Sequence, residues 1–166
     1  MELKIRSMFC APPGHVLISW DLSQAESWIV AYLANEPNMK VSLHGQGPGG
    51  DIHYDTAMAL ANIPKAAVTK AIRYTYKRCN HALAYRMSPP QLARVINKDS
   101  DKPPFVTVTV AETKRMCDAW HSYYQIKSWW SELEDKLNKD RTLVTPYGRI
   151  RTFFAQWGNE LFKEAT

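Results

Sequence analysis

The sequence has 166 residues, 45% hydrophobic and 22% charged, a balance that excludes a fully disordered chain. Its 21 basic and 16 acidic residues give a formal net charge of +5, which favours a polyanionic partner. Three cysteines without metal-type spacing argue against a disulfide scaffold or a zinc site, and no apolar run approaches the roughly 18 residues of a membrane span. We therefore expect a soluble intracellular chain with no membrane contact.

The first predicted elements are a buried strand and a helix. Residues 15–20 form a short run of β-prone side chains introduced by Pro-Pro-Gly, which predicts a strand. Ser23 and Glu26 fit a capping box, which predicts a helix that starts there and ends near residues 35–37. Asp21 thus lies between a strand and a helix. A carboxylate in this place either stabilises the helix N-terminus or serves a divalent metal ion.

The remaining pattern predicts a mostly helical chain. In order it indicates a loop, three helices, an extended segment, one long helix and a hairpin, over residues 44–50, 52–62, 66–87, 88–96, 105–108, 109–138 and 142–154. Thr109 and Glu112 fit a second capping box at the start of the long helix, and the hairpin turns at residues 146–148.

Residues 63–98 carry eight lysines and arginines and no acidic residue. Like charges on a helix repel one another unless a bound anion neutralises them. Arg73, Lys77, His81 and Tyr85 are four residues apart, so they share one stripe of the predicted helix. Two cations followed by two rings suit a nucleoside triphosphate, but a plain basic surface beside a core tyrosine fits the same spacing.

Four short motifs follow one another along the chain. They are Asp-Leu-Ser-Gln-Ala-Glu at 21–26, Asp-Ile-His at 51–53, Arg-x3-Lys-x3-His-x3-Tyr-Arg at 73–86 and Thr-Pro-Tyr-Gly-Arg-Ile-Arg at 145–151. In this order they resemble the motifs of family A DNA polymerases, the group of bacterial DNA polymerase I and its phage relatives. Four motifs in order are far more specific than any one of them.

The resemblance implies a fold class and a division of the chain. The class is α+β and mostly helical, with part of an antiparallel palm sheet and a helical fingers subdomain. Residues 1–34 would form a palm segment with the first motif, residues 35–156 the fingers, and residues 157–166 the return to the palm. The implied location is the cytoplasm of a bacterial or phage-infected cell.

The resemblance also implies template-directed DNA synthesis, in which a nucleotide is transferred from a dNTP to the 3′-hydroxyl of a primer. Asp21 would be a catalytic residue that holds two Mg²⁺ ions together with the main-chain carbonyl of Leu22. Lys77 would be the second catalytic residue and the proton donor. The residues that contact the dNTP would be Arg73, Lys77, His81, Gln24, Glu26 and His53.

Glu26 would also act as a steric gate against a ribose 2′-hydroxyl, and the DNA primer-template would be contacted by Tyr85, Arg86, Arg149 and Arg151. Four positions depart from the family's pattern, and two of them are Leu22 and Trp28, which stand where the family has Tyr and Arg. His81 stands where the family has Phe or Tyr, and Arg86 stands where it has Gly.

The family's third motif, His-Asp-Glu, supplies the second metal-binding carboxylate and does not occur in this sequence. We therefore expect a fragment that does not polymerise DNA by itself and that partners the remainder of a polymerase chain. Two alternatives stay open. A single-subunit RNA polymerase is opposed by Glu26, which leaves no space for a ribonucleotide. A non-catalytic nucleic-acid-binding module would use the basic helix 63–98, with binding that falls steeply with salt.

Overall fold

The computed structural model describes residues 8–98 and 100–154. Over these residues the chain forms α-helices with one short antiparallel sheet, which confirms the α+β, mostly helical class. The helices are α1 Ala25–Leu33, α2 Pro37–Leu43, α3 Ile52–Ala61, α4 Lys70–Ala84, α5 Pro89–Asn97, α6 Val110–Tyr123 and α7 Lys127–Asp140. The strands are β1 Thr142–Val144 and β2 Ile150–Thr152.

Helix α4 is the centre of the fold. It packs against α1, α3, α5 and α6, while α3 and α5 also contact α6. Leu83 of α4, Leu92 of α5 and Trp120 of α6 are fully buried in the common core. Because four other helices pack against α4, the core determines which way its remaining face is directed. None of the helices in the described ranges is both long and apolar enough to cross a bilayer.

The predicted strand at residues 15–20 is wrong. This segment has no regular secondary structure, and Val16, Ile18 and Trp20 are 80%, 81% and 77% exposed. A strand requires a neighbouring strand to pair with its backbone. In the described part of the chain β1 and β2 pair with each other, and neither pairs with residues 15–20.

The first capping box is also wrong, because α1 begins one residue later than predicted. Its N-cap is Gln24, in the left-handed conformation with φ 59°, and no side chain caps the helix. The Glu26 carboxylate is therefore not used to close the helix end. The second capping box is confirmed, since Thr109 and Glu112 exchange both of its hydrogen bonds.

The helix predicted over 109–138 is two helices. The chain leaves the helical conformation at Tyr124, and α7 starts after Ile126. Tyr124 and Ile126 are both fully buried, so the apolar pattern continues across the break and does not reveal it. Helix α2 was not predicted either. It begins at Pro37, where the Glu36 carboxylate accepts a hydrogen bond from the main-chain N–H of Met39.

The other predicted helices and the hairpin are present with adjusted ends, whereas the segment predicted as extended at 105–108 is not a strand and begins with Phe105 at φ +53°. Helix α4 starts at Lys70 after a 3₁₀ turn at Lys65–Ala67, and Thr69 caps it through the N–H of Ile72. The hairpin is confirmed, with Thr142 opposite Thr152 and Val144 opposite Ile150. Gly148 allows its turn, because it has φ +81° and donates its N–H to the carbonyl of Thr145.

Candidate functional site

A cleft of about 650 Å³ lies between residues 21–26, the start of α3 and one face of α4. It brings together residues from the first three sequence motifs, although they are far apart along the chain. The predicted site residues that line it are Asp21, Leu22, Gln24, Glu26, His53, Arg73, Lys77 and His81. Asp51, whose role the sequence did not indicate, lines it as well.

Asp51 joins α3 to α4. Its Oδ1 caps α3 by accepting the main-chain N–H of His53 at 2.7 Å, and its Oδ2 accepts a hydrogen bond from Nη2 of Arg73 at 2.6 Å. Partial burial raises the pKa of Asp51, but these two hydrogen bonds and the Arg73 charge outweigh burial and lower it. Asp51 is therefore a carboxylate that holds Arg73 at the cleft. An aspartate just before a predicted helix was the available signal.

His53 lies at the floor of the cleft and is only 3% exposed. Burial is the main cause that lowers its pKa from 6.5 to about 4, and the charges of Arg73, His81 and Lys77 act in the same direction, while Asp51 opposes them. His53 is therefore neutral at neutral pH. It contributes polarity to the cleft without a positive charge.

A buried polar network stands behind His53. Asn80 of α4 is 5% exposed. Its Nδ2 lies 3.1 Å from Nδ1 of His53 and 3.0 Å from Oγ1 of Thr56, and its Oδ1 lies 2.9 Å from the indole nitrogen of Trp120. Thr56 is in turn 2.7 Å from the hydroxyl of Tyr124. This network was not predicted from the sequence. An asparagine inside a basic helix carries no sign that it will face the core.

Glu26 of α1 contacts His81 and Tyr85, the last two of the four residues that share one stripe of α4. Its Oε2 is 3.4 Å from Nδ1 of His81. The pKa of Tyr85 is raised by burial first, then by the charge of Glu26 and by a hydrogen bond with its carboxylate. One carboxylate therefore contacts both rings that the four-residue spacing placed on this face.

The predicted DNA-contacting residues are not gathered in the cleft. Tyr85 is 45% exposed and lies outside the cleft, in a neighbouring groove that Lys77 and His81 also line. The Arg86 side chain forms an ion pair with Glu134 of α7, and its guanidinium lies 5.4 Å from the ring centroid of Trp130. Arg149 and Arg151 are exposed on the hairpin.

The carboxylates that line the cleft determine whether it could bind Mg²⁺. Mg²⁺ takes six oxygen ligands in octahedral geometry. Of the carboxylates in the cleft, Glu26 contacts His81 and Tyr85 while Asp51 contacts Arg73, which leaves Asp21. No group of three His, Cys, Asp or Glu side chains in the described residues is arranged to hold a metal. These residues alone do not complete a magnesium site.

Comparison with known proteins agrees with the motifs. The model of DNA polymerase family A matches residues 1–162, so the chain belongs to this family. It is 25% identical to a DNA polymerase of Escherichia phage T5 over 90% of the chain and 19% of that relative. It is 24% identical to the thermostable DNA polymerase I of Thermus aquaticus, over 89% of the chain and 16% of that relative.

A solved structure has a similar fold. The polymerase domain of Pol1 from M. smegmatis, in complex with a DNA primer-template and a dNTP, matches 87% of this chain with a TM-score of 0.67 and 22% identity. The match covers 24% of that domain. The chain thus spans a quarter or less of these three proteins.

Proposed function

We propose that this chain is the nucleotide-binding part of a DNA-directed DNA polymerase, and that its cleft holds the triphosphate of an incoming dNTP. The main support for this proposal is the cleft, which Arg73 and Lys77 of α4 line together with Asp21. Family membership supports the proposal, as does the M. smegmatis neighbour, whose structure contains a primer-template and a dNTP.

In the proposed reaction the primer 3′-hydroxyl loses its proton to water and its oxygen forms a bond to the α-phosphorus of the dNTP, while the bond from that phosphorus to the oxygen bridging to the β-phosphorus breaks. The electron pair leaves with pyrophosphate. Arg73 and Lys77 stabilise the charge that develops on the phosphates, and Lys77 donates a proton to the leaving group. Asp51 keeps the Arg73 guanidinium in place during this step, through their 2.6 Å contact.

Glu26 and Gln24 would contact the sugar side of the nucleotide. Glu26 would exclude a ribose 2′-hydroxyl, and the contacts of its carboxylate with His81 and Tyr85 support this proposal. Tyr85, Arg86, Arg149 and Arg151 would contact DNA. In the whole enzyme, Asp21 and the carbonyl of Leu22 would contribute to a magnesium site whose remaining protein ligand is not among the described residues.

The proposed division of the chain assigns residues 1–34 to the palm, 35–156 to the fingers and 157–166 to the return to the palm. We also propose a cytoplasmic location, since the relatives are bacterial and phage polymerases.

The first test measures binding of dATP to the full chain in EDTA by calorimetry. Lys77→Ala removes a cation from the cleft and should weaken binding about tenfold, as expected for a charge-assisted contact. Lys70→Ala is the matched control, because Lys70 is an exposed cation on the same helix outside the cleft. Asp21→Asn should strengthen metal-free binding by removing a repelling charge. Equal losses in the two lysine variants would refute the proposal.

The same assay separates the alternatives. An RNA polymerase would bind ATP as well as dATP, whereas a Glu26 gate predicts weaker binding of ATP. A nucleic-acid-binding module would bind single-stranded DNA with a steep salt dependence, would ignore dATP, and would lose DNA affinity equally in Lys77→Ala and Lys70→Ala.

A further inference from the structure

The orientation of the Asn80 side-chain amide is fixed by Trp120. The indole N–H of Trp120 can only donate a hydrogen bond, so the Asn80 atom at 2.9 Å from it must be the acceptor Oδ1. The amide nitrogen of Asn80 then faces the opposite way, toward His53 and Thr56. A flipped amide would bring two donors together in a buried place.

The Asn80 amide in turn fixes the proton on His53. An NH₂ group only donates, so Nδ1 of His53, 3.1 Å away, must be the acceptor and carries no hydrogen. In a neutral imidazole the proton is then on Nε2. A protonated imidazole would place an N–H against the Asn80 NH₂ group, which burial makes more unfavourable.

Thr56 satisfies the second hydrogen of the same NH₂ group. Its hydroxyl hydrogen is directed to the carbonyl of Ile52 at 2.6 Å, so its oxygen accepts from Asn80 and from the Tyr124 hydroxyl. Each hydrogen of the network therefore has one position. Trp120 and Tyr124 set the arrangement from the side of the network that faces away from the cleft.

We propose that Asn80 is a positioning residue that holds His53 as the neutral tautomer with its proton on Nε2, which makes His53 an uncharged N–H donor in the cleft. The groups facing His53 are Asp51 before α3 and Arg73, Lys77 and His81 on α4. Its pKa of about 4 agrees with the geometry. The use of this donor on a nucleotide phosphate rests on the proposed function.

The test is the ¹⁵N spectrum of the imidazole nitrogens in the full chain, first without nucleotide. We expect His53 to show the Nε2–H tautomer from pH 8 to 5. A protonated Nδ1, or an imidazolium at pH 7, would overturn the proposal. This result does not depend on nucleotide binding, so failure of the proposed function would appear separately, as the absence of a change when dATP is added.

Asn80→Asp inverts the polarity of the contact, because a carboxylate oxygen replaces the NH₂ group. We expect the pKa of His53 to rise above its ordinary value of 6.5 and Nδ1 to become protonated. Asn62→Asp adds the same charge at the exposed end of α3 and should leave His53 unchanged. Equal titration of His53 in both variants would contradict the role of Asn80. If Asn80→Asp does not fold, the spectrum of the unsubstituted chain still decides.

Discussion

Acidification should destabilise this protein through His53. Folding lowers the pKa of this histidine from 6.5 to about 4, mainly by burial, so the folded state favours the neutral form. That stability is fully present above pH 6.5 and is lost as the pH falls toward 4, because the unfolded chain takes up the proton first. At about 1.4 kcal/mol for each unit of pKa, the full loss is about 3 kcal/mol, and about 2 kcal/mol is lost by pH 5.

The assay is urea unfolding at pH 7 and pH 5 for the unsubstituted chain and for His53→Gln. Glutamine keeps an acceptor for Asn80 but does not titrate. Other groups, such as Glu112, whose pKa is lowered by its hydrogen bonds with Thr109, contribute equally in both proteins. The unsubstituted chain should therefore lose about 2 kcal/mol more than the variant. Equal losses of free energy in the two proteins would show that His53 is not buried in its neutral form.

Three further predictions concern local contacts. The free energy of unfolding, measured with urea, should be about 1 kcal/mol higher for Arg86→Gly than for Arg86→Ala. Both variants lose the side-chain contacts of Arg86, but only alanine bears the cost of the left-handed backbone at φ +56°. Thr109→Ala should lose about 1 kcal/mol and Thr109→Ser almost none in the same measurement, since serine still caps α6. Asp51→Asn still caps α3 but removes a charge that favours protonated His53, so an NMR titration should find the pKa of His53 lowered further. An unchanged or raised pKa would contradict this account of Asp51.

Elements with a local signal were predicted well. Helix α3 follows a glycine-rich loop and an N-cap aspartate, α6 begins with a capping box, and the hairpin has a glycine in its turn. Each signal acts within a few residues, so it is visible in the sequence. The predicted strand at 15–20 failed because a strand depends on its neighbour, and no local pattern supplies one.

The candidate site was predicted only in part, for a similar reason. The four-residue spacing correctly placed Arg73, Lys77 and His81 on one face of α4, since helix geometry alone determines it. The residues that hold this face in position were not found. Asp51 contacts Arg73 across 22 positions and Asn80 contacts Trp120 across 40, and such separations carry no signal in a single sequence.

The basic surplus of the chain is not concentrated in the cleft. Its lining carries two formal positive charges, on Arg73 and Lys77, against three negative charges, on Asp21, Glu26 and Asp51, while His53 is neutral. Other cations of the 63–98 stretch are exposed outside the cleft, among them Lys65, Lys70, Arg94 and Lys98. A nucleotide would therefore be attracted by the position of two cations on α4 rather than by net charge. Asp51 offsets Arg73, so Lys77 is the cation whose removal should weaken triphosphate binding most.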